Sequence, residues 1–151
     1  DVKQIDISAL GCGIRSVVGV GDILYFAIST DPQDNFNHVV GAYDTTTGEI
    51  TTIEFPQDVF HLLNVGDKLY VTHGNLVTGA GTSLSVYDIV SGDISTYDLG
   101  ICPGQIAVHG KALYVMGQYQ LAKYDLQTLE KQAEIEIPLN DGYYLSGVFA
   151  R

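Results

Sequence analysis

Three copies of one eight-residue motif run through the sequence. It reads VGDILYFA at 20–27, VGDKLYVT at 65–72 and HGKALYVM at 109–116. Each copy is followed by a Tyr-Asp pair, a short polar turn and a segment in which apolar and polar residues alternate. Alternation at period two indicates strands, and Gly beside Asp or Lys indicates the tight turns of hairpins. The repeat therefore predicts four short strands in each of three units.

Four short strands in a unit of about 44 residues are typical of a β-propeller blade. We predict an all-β fold, a β-propeller with about three complete four-stranded blades, at residues 14–55, 59–99 and 104–137. Residues 2–7 are predicted to be an orphan outer strand of a preceding blade. Residues 144–151 are predicted to be a stub, the first strand of a following blade. Neighbouring blades bury each other's apolar faces, which explains why the same Leu, Tyr and Val positions recur.

Three blades do not close a propeller, since closed rings have about 4–8 blades. The chain is therefore part of a larger propeller, or is completed by a copy of itself or another chain, or is a free-standing partial propeller. In the first two cases its partners are the remaining blades, from the same or another polypeptide. Because the chain begins at Asp1, it is expected to be a processed, trimmed or partial product.

The segment GICPGQIAV at 100–108, followed by ALYV at 112–115, resembles the YVTN or YncE-like β-propeller repeats. Residues 70–73, which read YVTH, are similar to the signature that names this family, with His73 where Asn is usual. The resemblance implies a ring of about seven blades in an extracytoplasmic protein, periplasmic or at the cell surface. Related propellers include lactonases, surface-layer proteins and binding scaffolds. WD40 and quinoprotein propellers fit less well, because the chain has no Trp.

The formal net charge of −11, from 18 acidic and 7 basic residues, would repel nucleic-acid phosphates and anionic lipids. No apolar run approaches the roughly 20 residues that a membrane-spanning helix needs. We therefore expect neither a nucleic-acid partner nor membrane insertion. The loops at 31–38 and 75–81 are long only in the first two repeats, which indicates one decorated face. A protein or small-molecule ligand is expected on that loop face.

The first strand of each blade is expected to line a central channel, and a polar residue recurs there. Ser16, His61 and Gln105 each lie eight residues before the Leu of their repeat motif. They alternate with apolar residues, so the period-two rule places them on one face. Together with Arg15 they form the predicted ligand-binding set, and the sequence leaves open whether a ligand, an ion or ordered water occupies it. His61 has the pKa range of a base, but no partner is visible, so no catalytic residue is assigned.

No metal site and no cofactor are predicted. The segment DPQDNFN at 31–37 offers oxygen ligands but lacks the spacing of a calcium loop. No HxH or HExxH pair is present, and His73 and His109 are expected at the surface, in a loop and a turn. Cys12 and Cys102 precede first strands two blades apart and are expected to be free, partly buried thiols.

An aspartate recurs once in each repeat, directly after the Tyr. Because a catalytic site breaks repeat symmetry, this recurrence favours a structural turn or cap for Asp44, Asp88 and Asp125. The function favoured by the sequence is a binding or scaffold module of an extracytoplasmic β-propeller protein. The alternatives are a hydrolase or lactonase with its site at the central channel, and a structural component of a cell-surface assembly.

Overall fold

The computed structural model describes residues 4–29, 36–75 and 79–137. These ranges contain twelve strands and no helix, which confirms the all-β class. The strands form three four-stranded antiparallel sheets, and in each sheet the strands are neighbours in chain order. None of the described residues belongs to a helix that is long and apolar enough to cross a membrane.

Each sheet is a meander of four strands joined by hairpins, and we number the sheets as blades 1 to 3. Blade 1 contains β1 (Gly13–Val20), β2 (Ile23–Ser29), β3 (Phe36–Asp44) and β4 (Ile50–Glu54). Blade 2 contains β5 (His61–Val65), β6 (Lys68–Thr72), β7 (Ser83–Asp88) and β8 (Ile94–Asp98). Blade 3 contains β9 (Ile106–His109), β10 (Ala112–Met116), β11 (Gln120–Asp125) and β12 (Lys131–Glu136). The chain divides into two compact units, Asp1–Val59 with blade 1 and Phe60–Arg151 with blades 2 and 3.

The core of blade 1 is a cluster of Phe26, Ile28 and Tyr43, against which Ile7 and Leu10 pack from the segment before β1. The described part of the predicted orphan strand, residues 4–7, lies in no strand. The backbone N–H groups of residues 10 and 11 instead donate to the carbonyl of Ile7 and close a turn. An outer strand needs the remaining strands of its blade to pair with, and the described residues contain none for it. The assignment of 2–7 to a preceding blade stays a prediction.

Blades 2 and 3 share one apolar core. It contains Tyr70 and Leu84 from blade 2, Leu113 and Tyr124 from blade 3, and Leu99 from the segment that joins them. Burying each such large side chain contributes about 1.5–3 kcal/mol. The inner strands β5 and β9 are also in contact. The two blades therefore stabilise each other through the faces that the repeat predicted to be apolar.

Hydrogen bonds link the two blades of this unit, either directly or through the segment that joins them. The hydroxyl of Tyr70 donates to the carbonyl of Leu126 (3.2 Å), and that of Tyr124 donates to the carbonyl of Leu99 (2.8 Å). The hydroxyl of Thr72 donates to the carbonyl of Gly104 (2.8 Å). These bonds satisfy polar groups that the packing of two sheets would otherwise bury without partners.

The recurring aspartates cap the turns between third and fourth strands, as the sequence predicted. In each turn, one carboxylate oxygen of the aspartate accepts the backbone N–H groups two and three residues further on. These bonds favour the ionised form and hold the pKa of all three carboxyls below the usual range. The three residues are Asp44, Asp88 and Asp125.

The expectation that His73 lies at the surface was wrong. The ladder between β6 and β7 continues one residue beyond β6, because the N–H of His73 donates to the carbonyl of Ser83 (3.1 Å). His73 therefore keeps its place in the sheet, and it is only 5% exposed. His109, by contrast, is exposed at the end of β9, as expected.

The two cysteines are free thiols, as expected. Cys12 is exposed rather than partly buried, whereas Cys102 is half-buried and its pKa is raised by burial. The predicted stub at 144–151 lies outside the described residues. So do residues 31–35 and 76–78, which include most of the calcium candidate and part of each long loop.

Candidate functional site

The inner strands of the three sheets carry the predicted ligand-binding residues at one repeat position. Ser16 in β1 lies opposite Ala27, and His61 in β5 lies opposite Thr72. The carbonyl of Gln105, just before β9, accepts the N–H of Met116 at the corresponding place. The structure therefore gives all three residues the same register within their own sheets, and their role as ligand-binding groups stays a prediction.

In blade 1, the predicted site includes a β-bulge. The register of β1 against β2 shifts between Ile14 and Ser16, so Arg15 is the extra residue. Its Nε donates to the hydroxyl of Ser29 on β2 (2.9 Å). Bulges redirect a side chain relative to the regular pleat. Here the bulge ties part of the guanidinium of Arg15 to its own sheet.

His61 has the most unusual environment of the predicted site residues. It is half-buried and alternates in β5 with Leu62, which is 1% exposed. Its Nδ1 atom is buried and has no hydrogen-bond partner among the described residues. Burial lowers the pKa of the imidazole, because the charged form loses solvation. His61 is therefore neutral at neutral pH, with one buried ring nitrogen left for a partner.

The surroundings of His61 include groups that the sequence did not single out. Thr72, directly opposite on β6, is fully buried and donates its hydroxyl to the carbonyl of Gly104. Gly104 immediately precedes Gln105, which is half-buried. The cross-blade bond of Thr72 thus links the sheet position of His61 to that of Gln105. The sequence indicates this hydrogen bond only indirectly. The alternation of β6 places Thr72 on the same face of the sheet as Tyr70.

A second polar arrangement in blade 2 was missed by sequence reasoning. Nε2 of His73 shares a hydrogen bond with the hydroxyl of Ser85 (2.7 Å), which shares another with the hydroxyl of Thr96 (2.8 Å). Ser85 and Thr96 are cross-strand partners in β7 and β8. Ser85 is fully buried, so no substrate reaches the His–Ser pair, and the chain of bonds is a structural one that satisfies polar groups inside the sheet.

Metal binding finds no support in the part of the chain that the structure describes. It contains no group of three or more His, Cys, Asp or Glu side chains that could hold an ion. The chemistry that the inner-strand residues offer is hydrogen bonding by a neutral imidazole, a primary amide and a hydroxyl.

No protein-family model matches the sequence, and no curated protein matches it. Solved structures do match in fold. AztD from Citrobacter koseri, in its apo form, superposes with a TM-score of 0.56 at 16% identity, over 89% of this chain and 49% of that one. BamB from Moraxella catarrhalis gives 0.58 at 17% identity, over 85% of this chain and 39% of that one. The WD40 domain of Pan2 from Neurospora crassa gives 0.57 at 8% identity, over 82% of this chain and 40% of that one.

The three sheets are β-propeller blades. At these identities the likeness shows the fold alone. The chain spans less than half the length of each of these solved chains. The likeness therefore confirms the predicted β-propeller fold. It does not show that the chain belongs to the YVTN or YncE-like family.

Proposed function

We propose that the chain is a binding module of a larger β-propeller, and that it binds a small polar ligand at the inner-strand position of His61. The observation that supports this most is the buried Nδ1 of His61, which lacks a hydrogen-bond partner among the described residues. Leaving such a group unsatisfied costs about 1–3 kcal/mol, so buried polar atoms normally have a partner. An ordered water beside the half-buried ring would supply one, and a ligand at the exposed part of the ring would bind through that water.

The remaining features of the proposal rest on the sequence. The resemblance of residues 70–73 to the YVTN signature supports an extracytoplasmic protein with about seven blades. The net charge of −11 favours neutral or cationic ligands over anions. Because His61 is held neutral, it can donate or accept one hydrogen bond at Nδ1 according to its tautomer, which suits hydroxyl and amide groups that do both.

The test is a binding screen in which NMR follows the ring signals of the histidines. The panel consists of neutral sugars, polyols and amides. We expect a member of the panel to shift the signals of His61, and His61→Phe to weaken its binding at least tenfold, because the ring nitrogens are lost. The matched control is His109→Phe, an exposed histidine on another strand, which should leave binding unchanged. Binding that survives His61→Phe would contradict the proposal.

The alternative class is a hydrolase or lactonase that uses the neutral imidazole of His61 as a base. The lowered pKa of His61 favours it, since a neutral imidazole can accept a proton. Turnover of a panel of simple lactones that is lost in His61→Phe and kept in His109→Phe would replace the binding proposal with this one.

A further inference from the structure

The segment that joins blades 2 and 3 is attached to the end of blade 2 at two successive residues. Pro103 is fully buried and packs against Gly74. A Cβ at residue 74 would lie 2.1 Å from the carbonyl oxygen of Pro103, so only glycine permits this approach. The carbonyl of Gly104 accepts the hydroxyl of Thr72 (2.8 Å), and both of these residues are buried. The two contacts hold the backbone of this segment close to blade 2 just before β9 begins.

The same threonine lies beside the candidate ligand-binding histidine. His61 is directly opposite Thr72 in the pairing of β5 with β6. Residues in this relation have their Cβ atoms about 4.5–5.5 Å apart on one face of the sheet. The hydroxyl of Thr72 reaches Gly104 from that face, and β5 and β9 are in contact. The side chain of His61 and the backbone of Gly104 therefore lie on the same face of blade 2, and both adjoin Thr72.

The hydroxyl occurs at this repeat position in blade 2 and in neither of the other two described blades. The residue equivalent to Thr72 is Ala27 in blade 1 and Met116 in blade 3. Packing of the repeat therefore does not require a hydroxyl here. It is present in the blade that carries His61, and a functional site is expected to break the symmetry of a repeat.

We propose that Thr72 is a positioning residue for His61, because its bond to Gly104 holds the joining segment over the buried edge of the imidazole ring. Gly74 supports this arrangement by admitting Pro103. The proposal rests on the ligand-binding role proposed for His61, and it assigns that site to the junction of two blades. The joining segment would leave one edge of the ring open, so a ligand would meet the ring in one orientation.

The environment of His61 gives this anchor a measurable consequence. Burial lowers the pKa of the ring. The residues that β6 and the segment before β9 bring near it, Thr72, Gly104 and Gln105, carry no charge. Without the anchor the segment can move away and water reaches the ring, so its pKa should rise toward the unperturbed value of about 6.5. A loss of stability alone would leave the pKa of the folded molecules unchanged.

An NMR titration of the ring signals of His61 in the full chain tests the proposal. We expect Thr72→Val, which removes the hydroxyl at nearly constant volume, to raise the pKa of His61. Thr72→Ser keeps a hydroxyl and should leave this pKa at its wild-type value. The matched control is Thr96→Val, which removes a threonine hydroxyl bonded to Ser85 in the same blade and should not change the pKa of His61. Circular dichroism verifies that each variant is folded.

A measurement on the wild-type chain keeps the proposal testable if Thr72→Val does not fold. We expect a nuclear Overhauser effect between the ring protons of His61 and the α protons of Gly104. The proposal is overturned if this signal is absent, if Thr72→Val leaves the pKa of His61 unchanged, or if Thr96→Val raises it equally.

Neither measurement needs a ligand, so the proposal can fail independently of the proposed function. A ligand panel without any binder would contradict the proposed function and leave the titration and the Overhauser effect to decide on the anchor. For a ligand that does bind, Thr72→Val should weaken binding several-fold and Thr72→Ser should not. Equal affinities of Thr72→Val and the wild-type chain would show that the anchor does not position the site.

Discussion

At the scale of single residues, one tyrosine shows how a recurring motif acts through a long-range bond. Tyr124 is 1% exposed in the core that blades 2 and 3 share, and its hydroxyl reaches the carbonyl of Leu99 at 2.8 Å. Burial raises the pKa of this hydroxyl to about 12, because ionisation would leave a charge in the core. The tyrosine of the Tyr-Asp pair in blade 3 is therefore a donor that ties its blade to the segment following blade 2.

We expect Tyr124→Phe to reduce the free energy of unfolding by about 1–3 kcal/mol, because the carbonyl of Leu99 loses its partner. Urea unfolding measures this, with Tyr119→Phe, at a tyrosine that is 53% exposed, as the control. The folded pKa lies above the unfolded value of about 10. The contribution is thus complete below pH 10 and is lost as the pH rises through 12. Equal stabilities of the two variants would contradict the role given to the bond.

At the scale of elements, the turns between third and fourth strands need a left-handed residue. Blades 1 and 2 use glycine there, with φ of 82° at Gly48 and 79° at Gly92. Blade 3 has Leu129 at the equivalent place, with φ of 58°. A side chain in this conformation costs about 1–2 kcal/mol. Leu129 offsets part of the cost, since it packs against the core shared by blades 2 and 3.

Gly92 has no such compensation, so we expect Gly92→Ala to destabilise the chain by about 1 kcal/mol. No atom lies within 4 Å of the position that the added Cβ would occupy, so the effect comes from the backbone. Thermal unfolding compares this variant with Val90→Ala, which lies in the same turn and carries an exposed side chain. An equal shift of Tm in the two variants would show that the turn does not require a residue that favours positive φ at position 92.

At the scale of the whole molecule, blades 2 and 3 lie in one compact unit and pack on each other through a shared apolar core. Repeat proteins gain stability from such neighbour interfaces as much as from each repeat. In blade 3, Leu113 is fully buried against blade 2, whereas Leu121 lies half-buried on the opposite face of the sheet. The two leucines belong to one sheet, and among the described residues a neighbouring blade covers Leu113 but not Leu121.

We therefore expect Leu113→Ala to cost about 2–5 kcal/mol, as for large-to-small changes in a packed core, and Leu121→Ala distinctly less. Hydrogen exchange should show lost protection in both blades 2 and 3 for Leu113→Ala, since their core is shared. For Leu121→Ala the loss should be confined to blade 3. If both variants weakened only blade 3, the shared core would not couple the blades.

Much of the candidate site could be located from the sequence, although its chemistry could not. Counting back from the repeat motif placed Ser16, His61 and Gln105 at one register, and strand pairing within each sheet agrees. The buried Nδ1 of His61 and the bond from Thr72 to Gly104 were not foreseeable. They depend on how two blades approach each other, for which a single strand carries no signal.

The sequence by itself determined the number of blades, their hairpins and the aspartate caps, because period-two alternation and turn chemistry act between residues close along the chain. The tertiary structure decided which faces are covered and why His73 is buried. Those outcomes depend on partners distant in sequence. The residue pattern predicts that a face of a sheet is apolar, and only the packed structure shows what lies against that face.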